Sequence, residues 1–255
     1  MPVASLLGTE LRALAAALSF LTRIPIGRLV AFDGHDIARA GATFPLVGAG
    51  IGAASGGIAA VLTPHLSPLL AAAIALTAAT ALTGALHLDA LADTADALAA
   101  NSRQRALEIM RDHTTGAYGT AALVLDLLIK TAALASLAAH HWALPAAVAA
   151  GSLSRASPVL LASLLPYARN GEGTGSSITK TASWRAIVAA ALAITIAATI
   201  AGRPGLLLTM IAIAITIASG SLVHRWLGGI TGDTLGATVE LVESVLLIVA
   251  VALVP

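Results

Sequence analysis

Hydrophobic residues fall along this chain in long unbroken stretches separated by short polar intervals, not in the alternating or three-to-four-residue pattern of half-buried elements. A helix needs roughly 20 such residues to cross the hydrocarbon core of a bilayer. Seven segments come close to that length: 42–62, 67–86, 117–139, 143–165, 186–201, 205–223 and 234–254. The pattern predicts an all-α integral membrane protein with about seven transmembrane helices. Residues 3–22 form an eighth apolar run, but Glu10 and Arg12 stand near its middle. Charges at bilayer depth cost a few kcal/mol each, so this segment reads as an N-terminal interfacial or half-inserted helix. Those charges, and the lack of a small-residue cleavage site around Leu21–Gly27, also argue against a removable signal. No repeat, low-complexity tract or long polar linker divides the chain, so residues 1–255 read as a single domain.

Composition agrees with the pattern. Hydrophobic residues make up 58% of the chain and charged ones 11%, with a mean hydropathy of +0.91; ordinary soluble domains carry about 25% charged residues. The lipid bilayer is therefore the expected surroundings. Cysteine is absent, which removes disulfides, thiolate metal sites and cysteine nucleophiles together. A formal charge of +1 and 3% aromatic residues leave neither a basic field nor stacking platforms for nucleic acid. No nucleic-acid partner is expected, and the pattern leaves an oligomer open.

The loops sort by charge. With seven spans, one face receives Arg12, Arg23, Arg28 and Arg39, then the loops 87–116, 166–185 and 224–233 with Arg103, Arg105, Arg111, Arg169, Lys180, Arg185 and Arg225. The other face receives Arg203 alone. Loops rich in Lys and Arg stay in the cytoplasm, which places the N-terminus inside, the C-terminus outside and every candidate site on the cytoplasmic side of the cell (inner) membrane. The outer loops 63–66 and 140–142 hold His65, His140 and His141, which read as exposed interfacial histidines.

The 87–116 loop concentrates the chemistry, with His87, Asp89, Asp93, Asp96, Glu108 and Asp112. On a helix, Asp89, Asp93 and Asp96 fall within a wedge of roughly 60°. Three carboxylates on one face repel unless a cation sits between them, and oxygen ligands without cysteine favour Mg²⁺ or Mn²⁺. A solvated acidic face would mix in Lys and Gln, whereas the residues between these aspartates are Ala, Leu and Thr. Glu108, Arg111 and Asp112 share a helix face at i, i+3 and i+4, as a binding group or as a plain surface pair. Gly116 and Gly119 flank Tyr118, where backbone N–H groups could approach a phosphate.

Charged residues also lie within the spans. Asp126 and Lys130 are spaced as a helical ion pair, either functional or structural. Arg155 has no partner in its own span and calls for a phosphate or a carboxylate from elsewhere. Before the last span, Asp233 or Thr234 can cap the helix. Glu240, seven residues after Asp233, points the same way, and the two could complete a two-metal site of the kind used at phosphorus. Arg155 and Glu240 are thus expected to converge on the aspartates, or else to pair with each other. The stretch Gly171-Glu172-Gly173-Thr174-Gly175-Ser176-Ser177 resembles a phosphate loop but lacks the adjacent Lys.

Several ordered stretches carry a more specific likeness: Phe20-Leu21-Thr22-Arg23-Ile24-Pro25, Phe44-Pro45-Leu46-Val47-Gly48, His87-Leu88-Asp89-Ala90-Leu91-Ala92-Asp93-Thr94-Ala95-Asp96, Leu107-Glu108-Ile109-Met110-Arg111-Asp112 and Thr231-Gly232-Asp233-Thr234-Leu235-Gly236. Together they resemble the cobalamin-5′-phosphate synthase family, also called adenosylcobinamide-GDP ribazoletransferase. The resemblance implies a membrane transferase that joins adenosylcobinamide-GDP to α-ribazole or its 5′-phosphate, releases GMP and requires Mg²⁺. It implies Asp89, Asp93 and Asp96 as catalytic and metal-holding residues. The metal set extends to Glu108, Asp233 and Glu240, and substrate contacts to Arg23, His87, Arg111, Asp112 and Arg155. Ala90 and Ala97 stand where the family usually has glycine, and His113 stands where a basic residue is common.

Other functions compete. Membrane transferases of the CDP-alcohol phosphotransferase or prenyltransferase kind also place carboxylates at a cytoplasmic face, but their D-G-x-x-A-R or N-D-x-x-D signatures are missing here. A proton- or metal-coupled transporter would use Asp126, Lys130 and Arg155, with inverted repeats that this chain does not display.

Overall fold

The structure, a computed structural model, describes residues 3–28, 30–32, 34–112, 114–169 and 183–254. Its elements are helical: α1 (Val3–Leu21), α2 (Gly34–Ala40), α3 (Phe44–Leu62), α4 (Pro68–Thr83), α5 (Leu86–Ala97), α6 (Arg103–Ile109), α7 (Ala117–Ala139), α8 (Ala143–Leu164), α9 (Ser183–Leu227) and α10 (Gly232–Leu253), with two short 3₁₀ turns before α3. No strand occurs among the described residues, and the one β-type contact is an isolated parallel bridge between Tyr167 and Ile230. The His113 and Gly171–Ser177 readings lie outside the described residues.

Among the described residues, five helical stretches are long and apolar enough to cross a membrane: His35–Leu62, α7, α8, α9 and α10; the bent pair α4–α5 makes six if it is one broken span. The predicted count of seven is not reproduced as such, for two reasons. α4 has 16 residues and the chain turns 90° into α5; the turn is made by Gly84 and Ala85, both left-handed, at φ +63° and +59°. At the other end, α9 runs for 45 residues and contains both predicted runs, 186–201 and 205–223. It breaks at Gly202 (φ 60°, ψ −136°), with Pro204 just after. A Cβ on Gly205 would collide with the Ala197 carbonyl. A straight helix sets residues eight apart about 12 Å from each other, so α9 folds back on itself here.

α8 is the centre of the bundle. It packs against α3, α9 and α10, and Ala146, Ala149, Ser152 and Val159 on it are fully buried. Pro158 lies within it and cannot donate to the Ser154 carbonyl; the Ser157 hydroxyl donates there instead, at 2.6 Å. Small residues bring α3 close. Gly48, Gly52 and Gly56 recur every fourth residue, and a Cβ on any of them would strike the carbonyl of Gly151, Ala147 or Ala143 on α8. Close approach through small residues is how helices associate where lipid replaces water. Gly52→Val is therefore expected to destabilise the protein by about 1–3 kcal/mol or more. Gly50→Val, at a position with open space around it, should leave the thermal unfolding midpoint in detergent unchanged.

The charges that disfavoured insertion of α1 are paired. Arg12 donates to both oxygens of Asp36, at 3.0 and 2.8 Å. Glu10 accepts from Arg185 at 2.8 Å, and Arg185 also donates to the Arg39 carbonyl at 2.9 Å. α1 packs on α2 and α3, burying Ala13, Ala16, Ala17 and Leu21.

Candidate active site

The aspartate stripe does lie on a helix. α5 carries Asp89, Asp93 and Asp96 across the end of the bundle, packed against α7 and α10. The three carboxylates differ in what they do. Asp89 is exposed, and its side chain has no hydrogen bond or ion pair among the described residues. Asp93, one turn on, is half-buried and has a partner of its own. Asp96 accepts the backbone N–H groups of Gly116 and Gly119, at 2.6 and 2.8 Å. These are the orphan donors of the first turn of α7, so Asp96 caps that helix from another element. The expectation that Gly116 and Gly119 would meet a phosphate is corrected accordingly: their N–H groups already hold a carboxylate.

The start of α10 is fixed by Thr231. Its hydroxyl accepts from the Thr234 N–H at 3.1 Å, and the Thr234 hydroxyl accepts from the Thr231 N–H at 2.9 Å. This capping box replaces the expected cap by Asp233 or Thr234 alone. Asp233 is thereby left to receive Arg169 Nη2 at 2.7 Å. Asp89, His87 and Asp233 share the wall of a cavity of about 180 Å³, whose apolar side includes Phe20 and Phe44. Those two rings stack with centroids 5.7 Å apart. His87 is buried, with a ring carbon 3.5 Å from where a Cβ on Gly236 would lie. Arg23 stands at the α4–α5 turn: its N–H donates to the Leu82 carbonyl at 2.7 Å, and its guanidinium covers Gly84.

Next to this cavity, α6 and the residues around Ala168 border a second, open cleft of about 660 Å³. α6 ends at Ile109, so Glu108, Arg111 and Asp112 do not share one helical face as predicted. Glu108 accepts from Arg105 and Gln104, both at 3.2 Å. Asp112 accepts the Thr114 N–H at 3.1 Å, and Arg111 is exposed.

Beneath α5, the charges of the spans form one buried group. Lys130 is bound to Asp126 at 3.1 Å and to Glu240. Arg155 is bound to Glu243, and Ser244 donates to Asp126. The alternative Arg155–Glu240 pair does not form; each has found a different partner. Glu240 is 5% exposed and engaged by Lys130. Glu243 and Arg169 were not singled out from the sequence. A signal existed for Glu243, which follows Glu240 by three and so shares its helix face.

Among the described residues no three His, Asp or Glu side chains are grouped so as to cage an ion. Mg²⁺ does not require such a cage, because it usually takes one or two carboxylates together with substrate phosphates. Asp89, without a partner among the described residues, fits that mode, with Asp93 one turn away on the same helix; Asp96, Glu108 and Glu240 keep the contacts given above.

The sequence profile described as cobalamin-5-phosphate synthase matches residues 13–251. The chain belongs to that family. It is 37% identical over 238 residues to the adenosylcobinamide-GDP ribazoletransferase of Klebsiella pneumoniae (strain 342), covering 91% of this chain and 96% of the relative. To the adenosylcobinamide-GDP ribazoletransferase of Escherichia coli (strain K12) it is 40% identical over 242 residues, with the same coverage. No solved structure matches it. Within this cobalamin-5-phosphate synthase fold, the stretches 20–25, 44–48, 87–96 and 231–236 meet around a single cavity: Phe20, Phe44, His87, Asp89, Asp233 and Gly236 all line it. Residues 107–112 instead border the neighbouring cleft.

Proposed function

We propose that the chain is an adenosylcobinamide-GDP ribazoletransferase of the cell (inner) membrane, joining adenosylcobinamide-GDP to α-ribazole or its 5′-phosphate with release of GMP. The observation that carries the reading is the convergence of four separated sequence stretches on one cavity, rimmed by Asp89 and Asp233 and walled by stacked aromatic rings. An apolar cavity with a few convergent polar groups is the usual form of a small-molecule site, and its Phe20 and Phe44 wall suits a flat aromatic base. The ribazole hydroxyl attacks the phosphorus bonded to cobinamide. A new P–O bond forms as the hydroxyl O–H bond and the P–O bond to GMP break; GMP leaves with the bridging oxygen and the proton passes to water.

Mg²⁺ held by Asp89 and Asp93 together with the substrate phosphates would neutralise the charge of the diphosphate and of the leaving GMP. The protein's own contribution is positional. Asp96 fixes the start of α7 against α5, the capping box sets α10, and the buried ion pairs lock α7, α8 and α10 together beneath the cavity. The test is GMP release, followed by mass spectrometry, from purified protein in detergent given adenosylcobinamide-GDP and α-ribazole. Release that requires both substrates and Mg²⁺ is expected; its absence with active lipid and detergent controls would refute the reading.

The site faces the cytoplasm in this reading, in keeping with the placement of the Arg-rich loops. Those loops do meet at one end of the bundle: Arg103 donates to the carbonyls of Leu227 and Ala168, and the Ile230 N–H donates to the Pro166 carbonyl at 2.9 Å. Because the chain lacks cysteine, single cysteines at positions 102 and 141 give a clean accessibility test. Labelling of 102 only from the cytoplasmic side and of 141 only from the opposite side is expected, and labelling of both from one side would overturn the orientation.

A further inference from the structure

An ion pair joins the wall of the cavity to the wall of the cleft. Asp233 lines the first and Arg169 the second, and they meet at 2.7 Å. The cavity measures about 180 Å³. The cleft, at about 660 Å³, falls in the ligand-pocket range of about 300–1,000 Å³. Its walls carry Arg103, Arg111 and Arg169 against one acid, Glu108, and that acid is already paired with Arg105 of its own helix. Arg111 is exposed and has no partner among the described residues. Arg103 donates to the Ala168 carbonyl at 2.9 Å, which holds in place the backbone beside Arg169. Arg169 Nε is shut off from solvent without an acceptor, a buried donor left unsatisfied. A guanidinium presents five donors in a fork that matches phosphate oxygens, and a diphosphate offers Arg169 more acceptors than Asp233 does.

We infer that the α6 cleft is the subsite for the nucleoside diphosphate half of the activated substrate, and that Arg169 exchanges Asp233 for the diphosphate as the cleft fills. The inference rests on the transferase reading above. Arrival of the phosphates then frees the Asp233 carboxylate on the wall of the cavity where Asp89 also lies, so the two halves of the site are coupled through one side chain. Arg111 supplies the second cation at the open edge of the cleft.

The experiment is GDP binding, by equilibrium dialysis, to protein in phosphatidylcholine nanodiscs, with α-ribazole binding measured in parallel. Arg111→Ala and Arg169→Ala should each weaken GDP binding by about tenfold or more, the usual worth of a charge-assisted hydrogen bond, and leave α-ribazole binding unchanged. Asp233→Asn is the decisive variant, because it keeps shape while removing the competitor for Arg169: GDP should bind more tightly. Weaker or unchanged GDP binding in Asp233→Asn overturns the exchange. Unchanged GDP binding in Arg111→Ala, an exposed position that should not disturb folding, overturns the subsite. Phosphate chemistry could also come from a lipid headgroup. If the Arg variants lose affinity for phosphatidylglycerol vesicles but keep GDP, the cleft binds headgroups and the inference falls. The transferase reading is tested apart from this: GMP release by the wild type with GDP binding indifferent to these arginines sinks the subsite alone. GDP binding that depends on them without any GMP release sinks the transferase reading.

Discussion

Asp89→Asn is expected to lower the rate of GMP release by about 10²–10³-fold, the usual loss when one charged contact to a reacting phosphoryl group is removed. Asp89 is exposed and packs against nothing that its charge must satisfy, so the thermal unfolding midpoint should stay within a degree or two of wild type. Asp93→Asn should lower the rate alike, but Asp93 is half-buried and has a partner of its own, so its unfolding midpoint should fall as well. Asp96→Asn separates itself from both. Its carboxylate receives two backbone N–H groups at the start of α7, and the amide that replaces it has one acceptor oxygen. The cost is that of a lost helix cap, about 1 kcal/mol, with activity falling in step with stability and no special sensitivity to Mg²⁺. Rates measured across a Mg²⁺ titration, with unfolding followed on the same samples, make the comparison. Wild-type turnover in Asp89→Asn, or full turnover in EDTA, would remove the metal from the proposal.

The second large effect concerns stability. Three acids, Asp126, Glu240 and Glu243, share the bundle interior with two cations, Lys130 and Arg155. Removing one partner of a buried pair leaves a charge with no water to receive it, at a cost of about 3–5 kcal/mol. Lys130→Met and Arg155→Met should each lower the unfolding midpoint in detergent markedly. Lys130→Met combined with Glu240→Leu should recover part of the loss, since one of the two acids left without a cation is then gone and Asp126 keeps the Ser244 hydroxyl. Single variants that unfold like wild type would show that the group is not structural. A Mg²⁺ dependence of the rate that shifts in Glu240→Gln would return that residue to the metal site.

How much of this was visible in the sequence depends on the range of the interaction concerned. Runs of apolar residues gave the helices, because backbone groups in lipid must be satisfied within the segment itself; Gly202 and Pro204 marked the break in α9 by the same local logic. The stripe of Asp89, Asp93 and Asp96 was legible as a face, since helical periodicity is local, but the division of labour among the three was not. Whether a carboxylate meets a cation or a helix N-terminus depends on what tertiary packing brings to it, and Gly116 lies 20 residues from Asp96. Arg155 was recognised as needing a phosphate or a carboxylate, yet the choice of Glu243 over Glu240 is one of helix rotation, which spacing cannot supply. Arg169 offered no signal at all: an arginine in a polar loop is unremarkable until the fold sets it beside Asp233. The glycines at 48, 52 and 56 could have been read, for a small residue at every fourth position marks a close helix contact.

The pairing of Arg155 with Glu243 also governs how the protein can be made. The two are 88 residues apart, so at a synthesis rate of about 5–20 residues per second α8 waits roughly 4 to 18 seconds for its counter-charge. α7 faces no such delay, because Asp126 and Lys130 neutralise each other within one helix. An ordered biogenesis is the expected result: α7 should settle in the bilayer as soon as it emerges, and α8 should reach its final depth only when α10 arrives. A nascent chain arrested before residue 243 should hold α8 near the insertion machinery, exposed to quality-control proteases until the last helix releases it.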